Sequence, residues 1–247
     1  MEWSDQGLVL GVRHHGETSA IAELMTQNHG RYLGLVRGGR SRKMRPVLQI
    51  GNLVNVTWRA RLDEHLGQYT IEPEKSRAAS IIADRASLYC AQIIVAHLHL
   101  LPERQINKQL YNAANIILDN AVDVNIAAHL IIRFEVALLE ELGFGLDLAK
   151  CVVSGKTGDL TWVSPKSGCA VSRIEGAPWA GKLLPLPSFL VPGQLDATSS
   201  DNASSATGSE LSAGFALTGH FLSRHVYIPR AIKAPDERDR LTKMCAQ

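Results

Sequence analysis

Between Arg31 and Arg61 the chain carries eight bases, Arg31, Arg37, Arg40, Arg42, Lys43, Arg45, Arg59 and Arg61, and no carboxylate. The rest of the sequence holds 18 bases against 24 acids, so the formal net charge of +2 conceals a polarised molecule. The densest part is RGGRSRKMR, residues 37–45, whose glycines let another molecule approach the backbone closely. Guanidinium and ammonium groups crowded in this way hold phosphates. They do not break bonds, and binding of this kind weakens steeply as salt rises. A solvated turn explains any one of these arginines. The uninterrupted set is what favours phosphate contact. Tyr32 and Tyr69 could each offer a ring to a base, but aromatic residues make up only 6% of the chain, so charge must carry most of the binding.

Other chemistry finds less support. Cys151-x-x-Ser154 and Cys169-x-x-Ser172 look like two halves of a zinc ribbon with one thiol missing from each. Structural zinc wants four thiolate or imidazole ligands, and serine is a poor substitute. Cys151 and Cys169 therefore read as a degenerate remnant in a metal-free insert. Gly155-Lys156-Thr157 resembles the end of a phosphate-binding loop, but Lys150 stands where the motif requires glycine. His14-His15 and His97-x-His99 do not converge, because strand neighbours point to opposite faces and helical i, i+2 positions diverge. No GxSxG or HExxH pattern occurs, and no acid/base set assembles. The expectation is a binding protein without catalytic residues or cofactor.

These residues need elements to position them. From Gln6 to Glu72 apolar residues alternate, as in Val54, Val56 and Trp58 against Asn55, Thr57 and Arg59. Strands are expected at 6–14, 18–27, 30–37, 47–61 and 66–72, closing as a five-stranded oligonucleotide-binding (OB) barrel. The alternation turns Trp58 inward and sets Asn55, Thr57, Arg59 and Arg61 on one polar, cationic outer face. After Pro73 the period becomes helical. One helix is expected to end at Pro102, and a second lies in ERQINKQLYNAANIILDN. A third is capped by Asp123 and stopped by Gly143 and Gly145. The expected fold class is α+β. Residues 1–75 form the OB barrel, and 76–150 with 210–247 form a helical domain. Residues 151–195 are a turn-rich insert, and 196–209, which lack large apolar side chains, are a flexible linker. The tail PDERDRLTKMCAQ adds a polar turn or two. Arg133 has no carboxylate within reach on its own helix, so it either snorkels to water or meets one from another element or molecule.

Four cysteines scattered over 247 residues suggest a reducing cytoplasm. No basic-then-apolar leader is visible and no apolar run reaches membrane-spanning length.

Several longer stretches resemble one family. LVRGGRSRKMRPVLQIGNLVNVTWRARLDEHLGQYTIE, IIRFEVALLEELGFGLDLAKC, TWVSPKSGCAVS, KLLPLPSFL and GFALTGHFLSRHVYIPR are similar to the RecO family of bacterial recombination mediators. The likeness covers nearly the whole chain outside 196–209. It implies an OB barrel followed by a helical domain, and no catalysis. It implies binding to single- and double-stranded DNA and annealing of complementary strands. It also implies partnership with RecR and with the C-terminal tail of single-strand-binding protein, so that recombinase loads onto coated DNA. The resemblance assigns Arg37, Arg40, Arg42, Lys43, Arg45, Arg59 and Arg61 to DNA, and Arg31 and Tyr32 extend that set from the same barrel. It makes Arg133 the candidate for the partner tail. It places the protein in the cytoplasm, on the nucleoid. Where some relatives carry four zinc cysteines, this chain keeps two. The basic barrel face also suits an RNA- or ribosome-associated protein, or an adaptor for an acidic protein.

Overall fold

The computed structural model describes residues 1–62, 64–192 and 207–245. It packs as two compact units, Met1–Asn120 and Ala121–Gln247. The fold is α+β, with a five-stranded barrel at the N-terminus and a helical C-terminal region.

In the first unit, β1 (Glu2–His15), β2 (Ser19–Thr26), β3 (Gly30–Val36), β4 (Leu53–Arg59) and β5 (Gln68–Lys75) close in the order β1-β2-β3-β5-β4. Only β3 and β5 pair in parallel, and β1 closes the barrel by pairing with both β2 and β4. This connectivity is that of the OB-fold. Alternation fills the interior with Val9, Leu24, Tyr32, Val36, Val54, Val56, Trp58 and Tyr69. Two such rings leave no room for a neighbouring side chain. A Cβ on Gly34 would lie 2.4 Å from the Tyr69 ring, and one on Gly67 would lie 2.2 Å from the Trp58 indole.

Two expectations change here. The strand expected at 47–61 begins only at Leu53, because residues 41–48 coil into helical turns. The amides of Arg45 and Leu48 donate to the carbonyls of Ser41 and Met44, at 3.0 Å each. Met44, Val47 and Leu48 then turn inward onto the barrel core. The single helix expected before Pro102 is two, α1 (Ala78–Ala83) and α2 (Arg85–Leu98). Asp84 breaks them apart: its backbone is extended and its carboxylate accepts the Ser87 amide at 2.7 Å, which makes it the cap of α2. Helix α3 follows at Lys108–Asn120.

The first unit therefore extends well past the change of period near residue 75, and buried polar ties explain why. Arg77, nearly fully buried, grips Asp119 of α3 through Nε (2.8 Å) and Nη2 (3.1 Å), and its Nη1 donates to Asn115. Arg31 pairs with Glu23 and donates to the Leu101 carbonyl, while His99 reaches the other Glu23 oxygen. Burial raises the pKa of Glu23, but the hydrogen bonds from His99 and Arg31 outweigh it and hold the carboxyl at about 2. A carboxyl depressed from 4.5 to about 2 stabilises the fold above the upper value, and that stabilisation is lost as pH falls through the lower one. Thermal unfolding followed from pH 6 downwards should show Glu23→Gln less stable than the parent at neutral pH. Its disadvantage should shrink across that window. A constant gap between the two proteins at every pH would contradict this account.

In the second unit, α4 (Val124–Glu141) starts at Asp123, whose carboxylate accepts the amides of Asn125 and Ile126. Helix α4 packs on two helices from the end of the chain, α6 (Gly208–Leu222) and α7 (Asp236–Cys245). A turn of π-helix at Ser223–Tyr227 extends α6. Thr207 and Glu210 cap α6 reciprocally. Residues 207–209, expected to close a linker, are thus the start of this helix, whereas 196–206 lie outside the described residues. The polar tail forms the ordered ten-residue helix α7 because Arg238 is buried on α4: its Nε and Nη2 meet the Glu135 carboxylate at 2.7 and 3.0 Å. The insert carries a three-stranded sheet in the order β7-β6-β8, from β6 (Leu160–Val163), β7 (Ala170–Ser172) and β8 (Leu184–Pro185). The one-turn helix α5 (Arg173–Gly176) follows β7. Among the described residues no helix is long and apolar enough to cross a membrane.

Candidate nucleic-acid interface

Val36, the last residue of β3, pairs with Ala20 on one side and Tyr69 on the other. The basic segment starting at Arg37 therefore leaves the barrel at the end that also holds the β1–β2 turn and the β4–β5 connection. The segment is fastened there. Gly38 takes a left-handed φ of 65°, the Arg40 amide donates to Thr18 O at 3.0 Å, and Arg40 Nη1 donates to Gly16 O at 2.9 Å. The helical turns that follow are amphipathic, with Leu48 buried against the barrel and Arg42, Lys43 and Arg45 exposed.

Asn52 locks the far end. It is 1% exposed, and its side chain makes four bonds. Its Nδ2 donates to the carbonyls of Pro46 and Val47, and its Oδ1 accepts the amides of Arg77 and Ala78. The side chain thus ties the basic loop to the entry of α1. Asn52→Ala leaves those groups without partners, and each buried loss costs about 1–3 kcal/mol. The expected result is a lower unfolding temperature together with faster amide exchange across 41–48. An unchanged exchange pattern would show that the loop is held by other means.

Arg37, Arg40, Arg42, Lys43 and Arg45 are all exposed, and no ion pair joins any of them to a carboxylate among the described residues. Between the loop and the β1–β2 hairpin lies a cleft of about 500 Å³. Arg40, Arg45, His14 and Gln49 line it, over an apolar floor of Val12, Leu48 and Ile50. His14 and Gln49 have no local pattern that marks them. What could have found His14 is strand register, which sets it opposite Ala20, and Ala20 opposite Val36 where the loop departs.

The other expected contacts fare differently. Tyr32 is 5% exposed, in the core between Trp3 and Trp58, with the Arg104 guanidinium 4.7 Å over its ring. It offers no free face to a base; its inward alternation decides this. Tyr69 is buried as well. Arg31 is committed to Glu23, with Glu103 at 3.8 Å. Arg59 is exposed but pairs with Glu2 at 2.7 Å, and Asn55 Nδ2 donates to Glu74. The β4 outer face is therefore polar and not cationic, because its cross-strand neighbours supply acids that no local reading of β4 contains. Arg61, exposed, begins the β4–β5 connection.

In the second unit Arg133 Nη2 donates to the Phe189 carbonyl at 2.7 Å, and its buried Nε makes no hydrogen bond. Arg133 is thus half-buried on a carbonyl of the insert, and no carboxylate among the described residues pairs with it. One turn earlier His129 is 6% exposed, with both ring nitrogens unpartnered. Burial, and then the charge of Arg133, push its pKa down to about 4. In the insert, the Ser172 amide donates to Cys151 Sγ at 3.3 Å. Burial raises the Cys151 pKa, but bonds from Ser154 and Ser172 bring it down to about 6. One serine from each CxxS stretch, Ser154 and Ser172, thus meets the Cys151 sulfur. No group of three or more His, Cys, Asp or Glu gathers as a metal site among the described residues.

Comparison with known families matches both parts of the chain. The model described as recombination protein O N terminal covers residues 1–77, and that described as recombination protein O C terminal covers 82–233. Similar curated proteins carry the name DNA repair protein RecO. That of Brucella abortus (strain 2308) is 53% identical over 238 residues, which span 96% of this chain and 93% of that protein. That of Rhizobium johnstonii is 53% identical over 239 residues, spanning 97% and 90%. That of Mesorhizobium japonicum is 51% identical over 238 residues, spanning 96% and 91%.

Proposed function

Because this chain belongs to the RecO family, we propose that it is a DNA-binding recombination mediator in recombinational repair. One observation carries this reading. Five exposed bases with no carboxylate partner among the described residues, Arg37, Arg40, Arg42, Lys43 and Arg45, stand on a loop fastened to one end of an OB barrel. Such a cluster neutralises phosphates. Two strands held there repel each other less, so complementary bases meet more often. Arg61 extends the contact, and the cleft holding His14 and Gln49 gives a base or sugar somewhere to sit. Arg31 and Arg59 contribute field rather than contacts, since each has an acid beside it. The site works by binding alone. The protein acts on cytoplasmic DNA of the nucleoid, with RecR as a partner in loading recombinase onto coated strands.

Recruitment to coated DNA uses the second unit. Arg133 is partly exposed and among the described residues its guanidinium bonds one carbonyl, that of Phe189, so a carboxylate from the tail of single-strand-binding protein can take it with charge-assisted bonds. Arg133→Ala should weaken binding of a peptide of that tail by roughly tenfold or more while leaving DNA affinity intact. Equal peptide binding by variant and parent would remove Arg133 from this role.

The decisive experiment is strand annealing followed across salt, with naked strands and with strands coated by single-strand-binding protein. The protein should speed annealing of both at low salt, with the advantage shrinking steeply as salt rises. No acceleration at low salt overturns the proposal. A clear preference for RNA of equal length would move the same basic site to an RNA-associated role.

A further inference from the structure

Trp179 stands out in the insert because its side chain lies in water. It is 58% exposed, in the short 3-10 turn Ala177–Lys182, whereas Trp58 is wholly buried. Three residues before that turn, Ile174 is 80% exposed. Exposed apolar residues scattered singly are ordinary. An indole presented on an anchored turn with a cation beside it is a different case. Gly176, which leads into the turn, packs so tightly on β6 that a Cβ there would lie 2.4 Å from Trp162. The Arg173 amide and guanidinium both bond Asp159, and Pro178 stiffens the turn from within. Lys182 Nζ lies 5.6 Å from the centre of the Trp179 ring.

Charge points to the occupant. From Lys150 to Pro192 there are five bases, all exposed, and two acids, whereas the rest of the second unit holds seven bases and eleven acids. The insert is thus the cationic part of an otherwise acidic unit, and it alone pairs that charge with an exposed indole. An acidic peptide would use the charge but needs no flat ring. A single-stranded nucleic acid uses both, because each base presents a π face and each linkage a phosphate.

We propose that the insert is a second contact for single-stranded DNA, in which a base stacks on Trp179 while Lys182 meets the flanking phosphate. This contact presupposes that the protein binds DNA, as proposed above. It lies in the second unit, whereas the barrel loop belongs to the first. Duplex DNA, whose bases are already stacked, gains little from it.

The test uses the full chain, an oligothymidylate and a duplex of equal length. Trp179→Ala should lower affinity for the single strand by about tenfold, the scale of one base stack, and for the duplex by less than twofold. Trp179→Phe should retain most of the single-strand affinity, yet lose part of the fluorescence quenching that the oligothymidylate causes in the parent. In a protein whose barrel loop has been neutralised, Trp179 quenching should persist at saturating oligonucleotide. Parent-like single-strand affinity in Trp179→Ala overturns this inference and leaves the barrel reading intact. Equal losses on single strand and duplex overturn it too, as does protection of Trp179 by an acidic peptide but not by DNA. A parent that binds no DNA removes both.

Discussion

Replacing Arg40, Arg42, Lys43 and Arg45 together with alanine should reduce affinity for single-stranded DNA on the order of a hundredfold at low salt, whatever its sequence. The salt dependence carries the sharper signal. Each phosphate contact on a single strand contributes about 0.7 to the slope of log affinity against log salt. Removing four should flatten that slope by about 3, and the four contacts account for roughly a fiftyfold loss between 50 and 200 mM salt. Folding should change little, because all four side chains are exposed and, among the described residues, only Arg40 makes a side-chain hydrogen bond, to the Gly16 carbonyl. Lysine at the same arginine positions keeps the charge and should keep the slope. An alanine variant with the parent's slope would mean that phosphates are held elsewhere and would remove the barrel loop as the site.

The second large effect concerns stability. Arg238→Ala should destabilise the second unit by about 3–5 kcal/mol, the usual cost of stranding one member of a buried ion pair. Glu135 is fully buried, and Arg238 is the guanidinium that faces its carboxylate, beside the Thr218 hydroxyl. Arg238 also bonds the Phe215 carbonyl at 2.6 Å and lies 5.1 Å over the Phe215 ring. In a unit of this size the loss corresponds to a drop on the order of 10 °C or more in its unfolding transition. Replacing both residues with methionine should be far milder, since no charge is then left buried. If the double variant is as unstable as the single, packing and not pairing is what Arg238 supplies. The barrel transition should stay where it is in both variants.

These two sites differ in how far the sequence announces them. The basic loop is legible because its signal is local: five bases and no acid within nine residues need no partner to be recognised. The barrel interior is legible for the same reason, as alternation along β4 alone sends Trp58 inward. Asp123 is equally plain, because a cap acts on amides two and three residues away. The buried pair of Glu135 and Arg238 is not announced at all, since its members are 103 residues apart. The tail that carries Arg238 looks like loose polar chain until α4 is set beside it.

The sequence by itself thus determined what depends on near neighbours: the strand period, the helix caps and the clustering of charge. Only the tertiary structure decided which charges remain free. Arg31 and Arg37 look alike in the sequence, yet Arg31 is neutralised by Glu23 and Arg37 stays exposed. Tyr32 looks available until Arg104, from the far side of α2, covers its ring. The physical reason is that an ion pair or a stacked ring needs a partner within a few ångströms, and folding recruits that partner from anywhere in the chain. Periodicity and local charge are summed along the chain, whereas pairing is settled in space.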